Sequence, residues 1–152
     1  MKRTEQPIKH LTTRITVAQS PEAVFEAINN VRGWWSGQIE GTTDQLGAVF
    51  TYRYEDLHYS QQKITELVPG KRIVWQVEDA QLNFVKDKTE WNGTSITFDI
   101  LPKGERTELV FTHVGISPAC ECFEACSEAW TSYIGEHLRK LLTPGPERTK
   151  PR

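Results

Sequence analysis

No stretch of this chain approaches the roughly 20 apolar residues that a membrane-spanning helix needs. Its N-terminus, MKRTEQPIKH, carries charge without the apolar run of a secretory leader behind it, so neither secretion nor membrane insertion is expected. Charge of one sign is lacking too. The 18 basic and 20 acidic residues leave a formal net charge of -2, which provides no broad positive field for phosphate backbones or anionic lipid. Nucleic acid is therefore not an expected partner. Cysteine is scarce and odd in number, 3 in all, so at least one thiol stays unpaired within a monomer. That fits a reducing, cytoplasmic setting better than a secreted disulfide framework. Also missing are a Gly-x-Ser-x-Gly elbow, a His-Glu-x-x-His pair and a phosphate-binding glycine loop, the features that would supply a nucleophile, a metal-bound base or a nucleotide site. The sequence assigns no catalytic residue, no metal ligand and no cofactor.

What is present is enough for one core. A chain of 152 residues can bury roughly 70% of the surface its unfolded form exposes, with no need of metal or disulfide. Residues 11–143 are expected to form the domain, with 1–10 and 144–152 as flexible tails. Leu11, Thr13, Ile15 and Val17 alternate with polar partners as in a half-buried strand. Ser20-Pro21 then reads as an N-cap and first helical residue, and Val24, Phe25 and Ile28 follow at helical spacing to about residue 30. Arg32–Gly37, around Trp34-Trp35, predicts a second short helix or a turn. Strands follow in series: Phe50-Tyr52-Tyr54, then Tyr59–Leu67, a Pro69-Gly70 turn, Ile73-Trp75-Val77, Ile96-Phe98-Ile100, and Glu108–Val114 after Leu101–Gly104. Between Asp79 and Gly93 the alternation weakens, and a loop is expected.

The last predicted element is the longest, a helix over about 119–142. At about 100° per residue, Ala119, Cys122, Phe123, Cys126, Trp130, Tyr133, His137 and Leu141 fall on one stripe, with Ile134 beside it. Thr143-Pro144-Gly145-Pro146 ends it. The class is α+β: a strand, two short helices, antiparallel strands and a long terminal helix.

That order is the order of the helix-grip arrangement, and particular words carry it further. PEAVFEAI (21–28), Trp34-Trp35, PGKRIVWQV (69–77), TSITFDILPKGERTELVFTHVG (94–115) and WTSYIGEHLRKLL (130–142) resemble the START-like superfamily, also called the SRPBCC or polyketide cyclase-like group. Within it the chain resembles the bacterial relatives of the activator of the heat-shock-protein-90 ATPase. The cysteine-rich CECFEAC (120–126) has no counterpart in that pattern. The resemblance implies a curved antiparallel sheet wrapped around the C-terminal helix, with a cavity between them that in relatives accepts lipids, sterols, polyketides or other apolar ligands.

The candidate site residues are Trp35, Phe50, Tyr52, Trp75, Phe98, Phe111, Trp130 and Tyr133, with His113 and His137. Strand alternation and the helix stripe point them to one interior, where large rings either pack as core or line a ligand cavity. The two histidines read either as hydrogen-bonded core residues or as groups that orient a ligand or move a proton. Cys122 and Cys126 lack paired knuckles and a fourth ligand, so they read as small buried residues rather than zinc ligands. Three functions follow. The first is a non-catalytic carrier or sensor of an apolar small molecule. The second is an interaction module for a chaperone or regulatory partner, and the third is a cyclase- or hydrolase-like enzyme using a pocket histidine or tyrosine.

Overall fold

Residues 11–35, 37–86 and 88–142 are described by the computed structural model, so the expected tails at 1–10 and 144–152 lie outside the described residues. The strands are β1 (Leu11–Val17), β2 (Gln38–Gly41), β3 (Val49–Tyr54), β4 (His58–Val68), β5 (Arg72–Leu82), β6 (Ser95–Lys103) and β7 (Arg106–Val114). They form one antiparallel sheet in the order β1-β7-β6-β5-β4-β3-β2. From β2 to β7 the chain is a meander of sequential neighbours, the connection type short turns favour. Between β1 and β2 lie helix α1 (Pro21–Asn29) and a one-turn 3-10 segment, Val31–Gly33. The C-terminal helix α2 is α-helical over Phe123–Ser132, π-helical over Tyr133–Leu138 and α-helical again over Arg139–Leu142. It lies in the grip of the curved sheet, the expected helix-grip arrangement.

Local chemistry explains each element. The Ser20 hydroxyl accepts from the Ala23 N–H at 3.1 Å, and Pro21 fills the first turn of α1, which turns Val24 and Ile28 into the core. β7 alternates without a break, burying Thr107, Leu109, Phe111 and His113. The expected second helix after α1 is only the 3-10 turn, because Gly33 and the two bulky indoles that follow do not extend a helical stripe.

Two expectations are corrected. The predicted loop from Asp79 begins as strand: β5 runs on to Leu82, and β4 pairs Gln62 with Val77 but Gln61 with Asp79, leaving Glu78 as an extra residue. This bulge reverses the inward face from Ile73-Trp75-Val77 to Ala80-Leu82, which breaks the period a sequence reading relies on. The predicted helix start at 119 is also early. Residues 117–122 form turns, and Ala119 is exposed.

The buried stripe of α2 is Cys122, Cys126, Trp130, Ile134, Leu138 and Leu142, a strict repeat of four. In an ideal α-helix each step of four overshoots a turn by about 40°, so such a stripe would spiral off the sheet. The wider i→i+5 turn at Tyr133–Leu138 winds it back. Tyr133 and Leu141 are therefore half-buried and His137 is exposed, although all three fall on the ideal stripe.

Candidate functional site

One end of the space between sheet and helix is packed solid, and the other is open. At the packed end Trp34, Trp75, Phe50, Phe98, Phe111, Ile28 and Ile73 are buried almost completely. The indole of Trp34 donates to the Ile28 carbonyl at 3.1 Å and stacks parallel to Trp75 at 6.2 Å. At the open end is a pocket of about 280 Å³ lined by Trp35, Tyr52, Tyr54, Leu57, His58, Phe84, Trp91, Ala125, Cys126, Ala129, Trp130 and Tyr133.

Three segments build that pocket. The β3–β4 connection is a three-residue loop, Glu55-Asp56-Leu57, closed by the Tyr54–His58 pair and by the Leu57 N–H donating to the Tyr54 carbonyl at 3.1 Å. Glu55 turns it with φ 50, a left-handed conformation that non-glycine residues seldom adopt. Alternation then places Tyr52, Tyr54 and His58 on the inner face. The second segment follows β5. Its Asn83 donates from backbone N–H to the Leu57 carbonyl at 2.9 Å and from its side chain to the Asp56 carbonyl at 2.5 Å. Farther along, the Glu90 carboxylate accepts from the Glu121 and Cys122 backbone N–H groups at 2.8 and 3.0 Å. Cys122 gives α2 no side-chain cap, so Glu90 supplies the acceptor that the helix start requires. The third segment is α2 itself, which presents the small Ala125 and Ala129 beside Trp130.

Rings make the walls. Trp35 stacks on Tyr52 at 3.9 Å and lies 5.2 Å from Trp130. Trp91 stacks parallel to Trp130 at 5.9 Å. The Tyr52 and Tyr133 hydroxyls meet at 3.3 Å. Gly37, at φ 103, lets the chain pass close beneath this stack, because a Cβ there would sit 2.7 Å from the Arg53 carbonyl oxygen and 2.8 Å from the Tyr52 ring. At the mouth Tyr54, Leu57 and Phe84 remain 40%, 46% and 41% exposed, an apolar rim.

Two histidines stand in this region in opposite states. His113 is buried, and both its nitrogens are engaged: Nδ1 accepts from the Trp130 indole at 3.2 Å, and Nε2 meets the Thr94 hydroxyl at 2.8 Å. Since Nδ1 must accept, neutral His113 carries its proton on Nε2 and donates it to Thr94, whose hydroxyl donates to the Trp91 carbonyl at 2.6 Å. Burial, and then repulsion from His58, push its pKa down to about 3. His58 sits edge-on to Trp91 at 4.5 Å and Tyr52 at 4.9 Å. Burial pushes its pKa down to about 4, and its buried Nε2 has no hydrogen-bond partner among the described residues. Cys126 accepts from the Trp91 indole at 3.3 Å. Its neighbour Cys122 is pushed up, first by its hydrogen bond with Cys126 and then by burial, and so remains a thiol.

Of the residues proposed from sequence, Trp35, Tyr52, Trp130 and Tyr133 come together around the pocket. Phe50, Trp75, Phe98 and Phe111 share their inward face but lie in the packed end. His113 sits behind Trp130, and exposed His137 is held by its Nδ1 contact with the Trp34 carbonyl at 3.2 Å. Residues that sequence reasoning passed over are Tyr54, Leu57, His58, Phe84, Trp91, Ala125, Cys126 and Ala129. A tryptophan inside a polar, aperiodic segment was the available signal for Trp91.

Comparison with known proteins agrees with this architecture. No curated protein sequence matches the chain at a significant level. Among solved structures, the Aha1 dimer from Colwellia psychrerythraea superposes with a TM-score of 0.73 at 23% identity, over 91% of this chain and 99% of that one. DynU16, from the dynemicin biosynthetic locus, superposes at 0.68 with 16% identity, over 93% of this chain and 50% of that one. CalU16 from Micromonospora echinospora gives 0.62 at 14% identity, over 91% and 78%. At such identities the structures share the fold. No helix among the described residues is long and apolar enough to cross a membrane. The sequence profile of the activator of Hsp90 ATPase homolog 1-like proteins matches residues 18–143, and the chain belongs to that family.

Proposed function

We propose that this protein is a non-catalytic carrier or sensor that binds an apolar, ring-bearing small molecule in the pocket between α2 and the β3–β4 end of the sheet. The observation that carries the reading is the lining: aromatic and small apolar side chains with a few convergent polar atoms and no Lys, Arg, Asp or Glu, the usual composition of a small-molecule site. Its volume of about 280 Å³ lies just below the roughly 300–1,000 Å³ range of such sites. That favours one or two fused rings over a sterol or a long acyl chain. Parallel and edge-on indoles offer a planar guest the stacking it needs. Native mass spectrometry of protein purified from its own host tests the reading. The expected result is a small molecule retained on the native protein, released on unfolding, and absent from an Ala129→Trp variant that fills the pocket. A wild-type protein that carries nothing and binds no ring compound would overturn it.

A second reading, a protein partner such as a chaperone or another copy of this chain, is favoured by the exposed rim of Tyr54, Leu57 and Phe84 and by the dimeric state of the Colwellia relative. Sedimentation of wild type against Leu57→Glu checks the self-association form: a dimer that the substitution dissolves supports it, and a monomer at all concentrations removes it.

A further inference from the structure

Resting on that pocket reading, we propose that the ligand is a neutral aromatic compound bearing a hydroxyl group, and that His58 receives the hydroxyl. His58 lines the pocket, yet its buried Nε2 has no hydrogen-bond partner among the described residues. A buried polar atom left this way is costly and calls for an explanation. His58 is the outermost of three inward-facing polar residues at alternate positions of β4. Ser60 and Gln62 follow, both fully buried, with the Ser60 hydroxyl and both Gln62 amide atoms also unpartnered among the described residues. Of the three only His58 lines the pocket, so its Nε2 is the one a guest there can meet.

The chemistry of the pocket narrows what can meet it. No lining side chain is a permanent cation or anion, so a carboxylate or an ammonium guest would be desolvated without a counter-charge. Neutral imidazole offers a donor at one nitrogen and an acceptor at the other. A hydroxyl is both donor and acceptor, and therefore matches Nε2 in either tautomer. The edge-on contacts of His58 with Trp91, Tyr52 and Trp35 hold the imidazole in the wall, and the indoles of Trp35, Trp91 and Trp130 in the lining offer surface to the guest's ring.

The test uses three probes of nearly one shape, naphthalene, naphthol and naphthoate, titrated into the full chain and followed by indole and amide NMR shifts. Wild type is expected to bind naphthol about tenfold more tightly than naphthalene, the ratio that one buried hydrogen bond supplies, and to bind naphthoate most weakly. His58→Ala should erase the naphthol preference, and His58→Gln, which restores a donor and an acceptor, should recover part of it. The naphthol to naphthalene ratio is taken within each variant, so a general loss of stability does not imitate the result. Equal binding of naphthol and naphthalene by wild type overturns hydroxyl recognition and leaves the pocket reading standing. A preference that survives His58→Ala overturns the role of His58, and tightest binding of naphthoate overturns the neutral class. If none of the three binds, the pocket reading itself fails and this inference falls with it.

Discussion

The two ends of the space beneath α2 are made from the same kinds of side chain and do opposite things. At the packed end the rings fill the space against one another, and the Trp34 indole is tied to the Ile28 carbonyl. At the open end the rings line a space, its rim is apolar, and the unpartnered nitrogen of His58 belongs to a residue of the pocket lining. Trp34 and Trp35 are adjacent in sequence yet fall on either side of this divide. Aromatic content alone therefore does not mark a binding site. What marks it is where the rings stop filling space, and that is set by the loops at 54–58 and 83–91 rather than by the strands.

The largest expected effects separate the two ends by deletion. Trp34→Ala and Trp130→Ala each remove a buried indole and should each cost about 3–5 kcal/mol in denaturant unfolding. Only the second should also abolish binding of ring compounds. If Trp34→Ala weakens binding as much, the division between packed and open ends is wrong.

Acid comes next. An unfolded imidazole takes up a proton near pH 6.5, whereas His58 and His113 stay neutral in the fold down to about 4 and about 3. Protonation therefore favours the unfolded chain. The stability tied to these two groups is fully present above pH 6.5 and is lost as pH falls from there, through about 4 for His58 and about 3 for His113, at up to about 1.4 kcal/mol per pH unit for each group. His113→Gln can still accept from Trp130 and donate to Thr94 without titrating, so it should roughly halve the slope of stability against pH between 6 and 4. An unchanged slope would place the acid sensitivity elsewhere.

Smaller effects probe the edges. Ser20→Ala should cost about 1 kcal/mol by removing the cap of α1 and leave ligand affinity untouched, since α1 serves the packed end. Phe84→Ser, at the exposed rim, should change stability by no more than about 0.5 kcal/mol while lowering ligand affinity measurably by titration calorimetry. A large stability loss at Phe84 would show that the rim belongs to the core.

Much of this architecture was legible in the sequence because burial repeats along a strand. The period-two runs of β1, β6 and β7 named their inward residues, and Ser20-Pro21 named the start of α1. The site was harder to read, for three physical reasons. Alternation tells which face a side chain takes but not how far along the space it lies, so Phe50, Trp75, Phe98 and Phe111 could not be told from Tyr52. The bulge at Glu78 reversed the phase of β5, and Trp91 followed in a segment with no period at all. The π turn at Tyr133–Leu138 rotated the helix stripe, carrying His137 outward and Leu138 inward. His58 was missed because it opens β4 beside a polar turn, where a histidine gives no signal of burial.

The central claim is that ligand occupies the open end and leaves the packed end as it is. Indole N–H resonances read this directly, because the five tryptophans are divided between the two ends. On titration with naphthalene or naphthol, the resonances of Trp35, Trp91 and Trp130 should shift together and saturate at one concentration, while those of Trp34 and Trp75 stay nearly still. Shifts centred on Trp34 and Trp75, or no indole shift with either compound, would contradict the account.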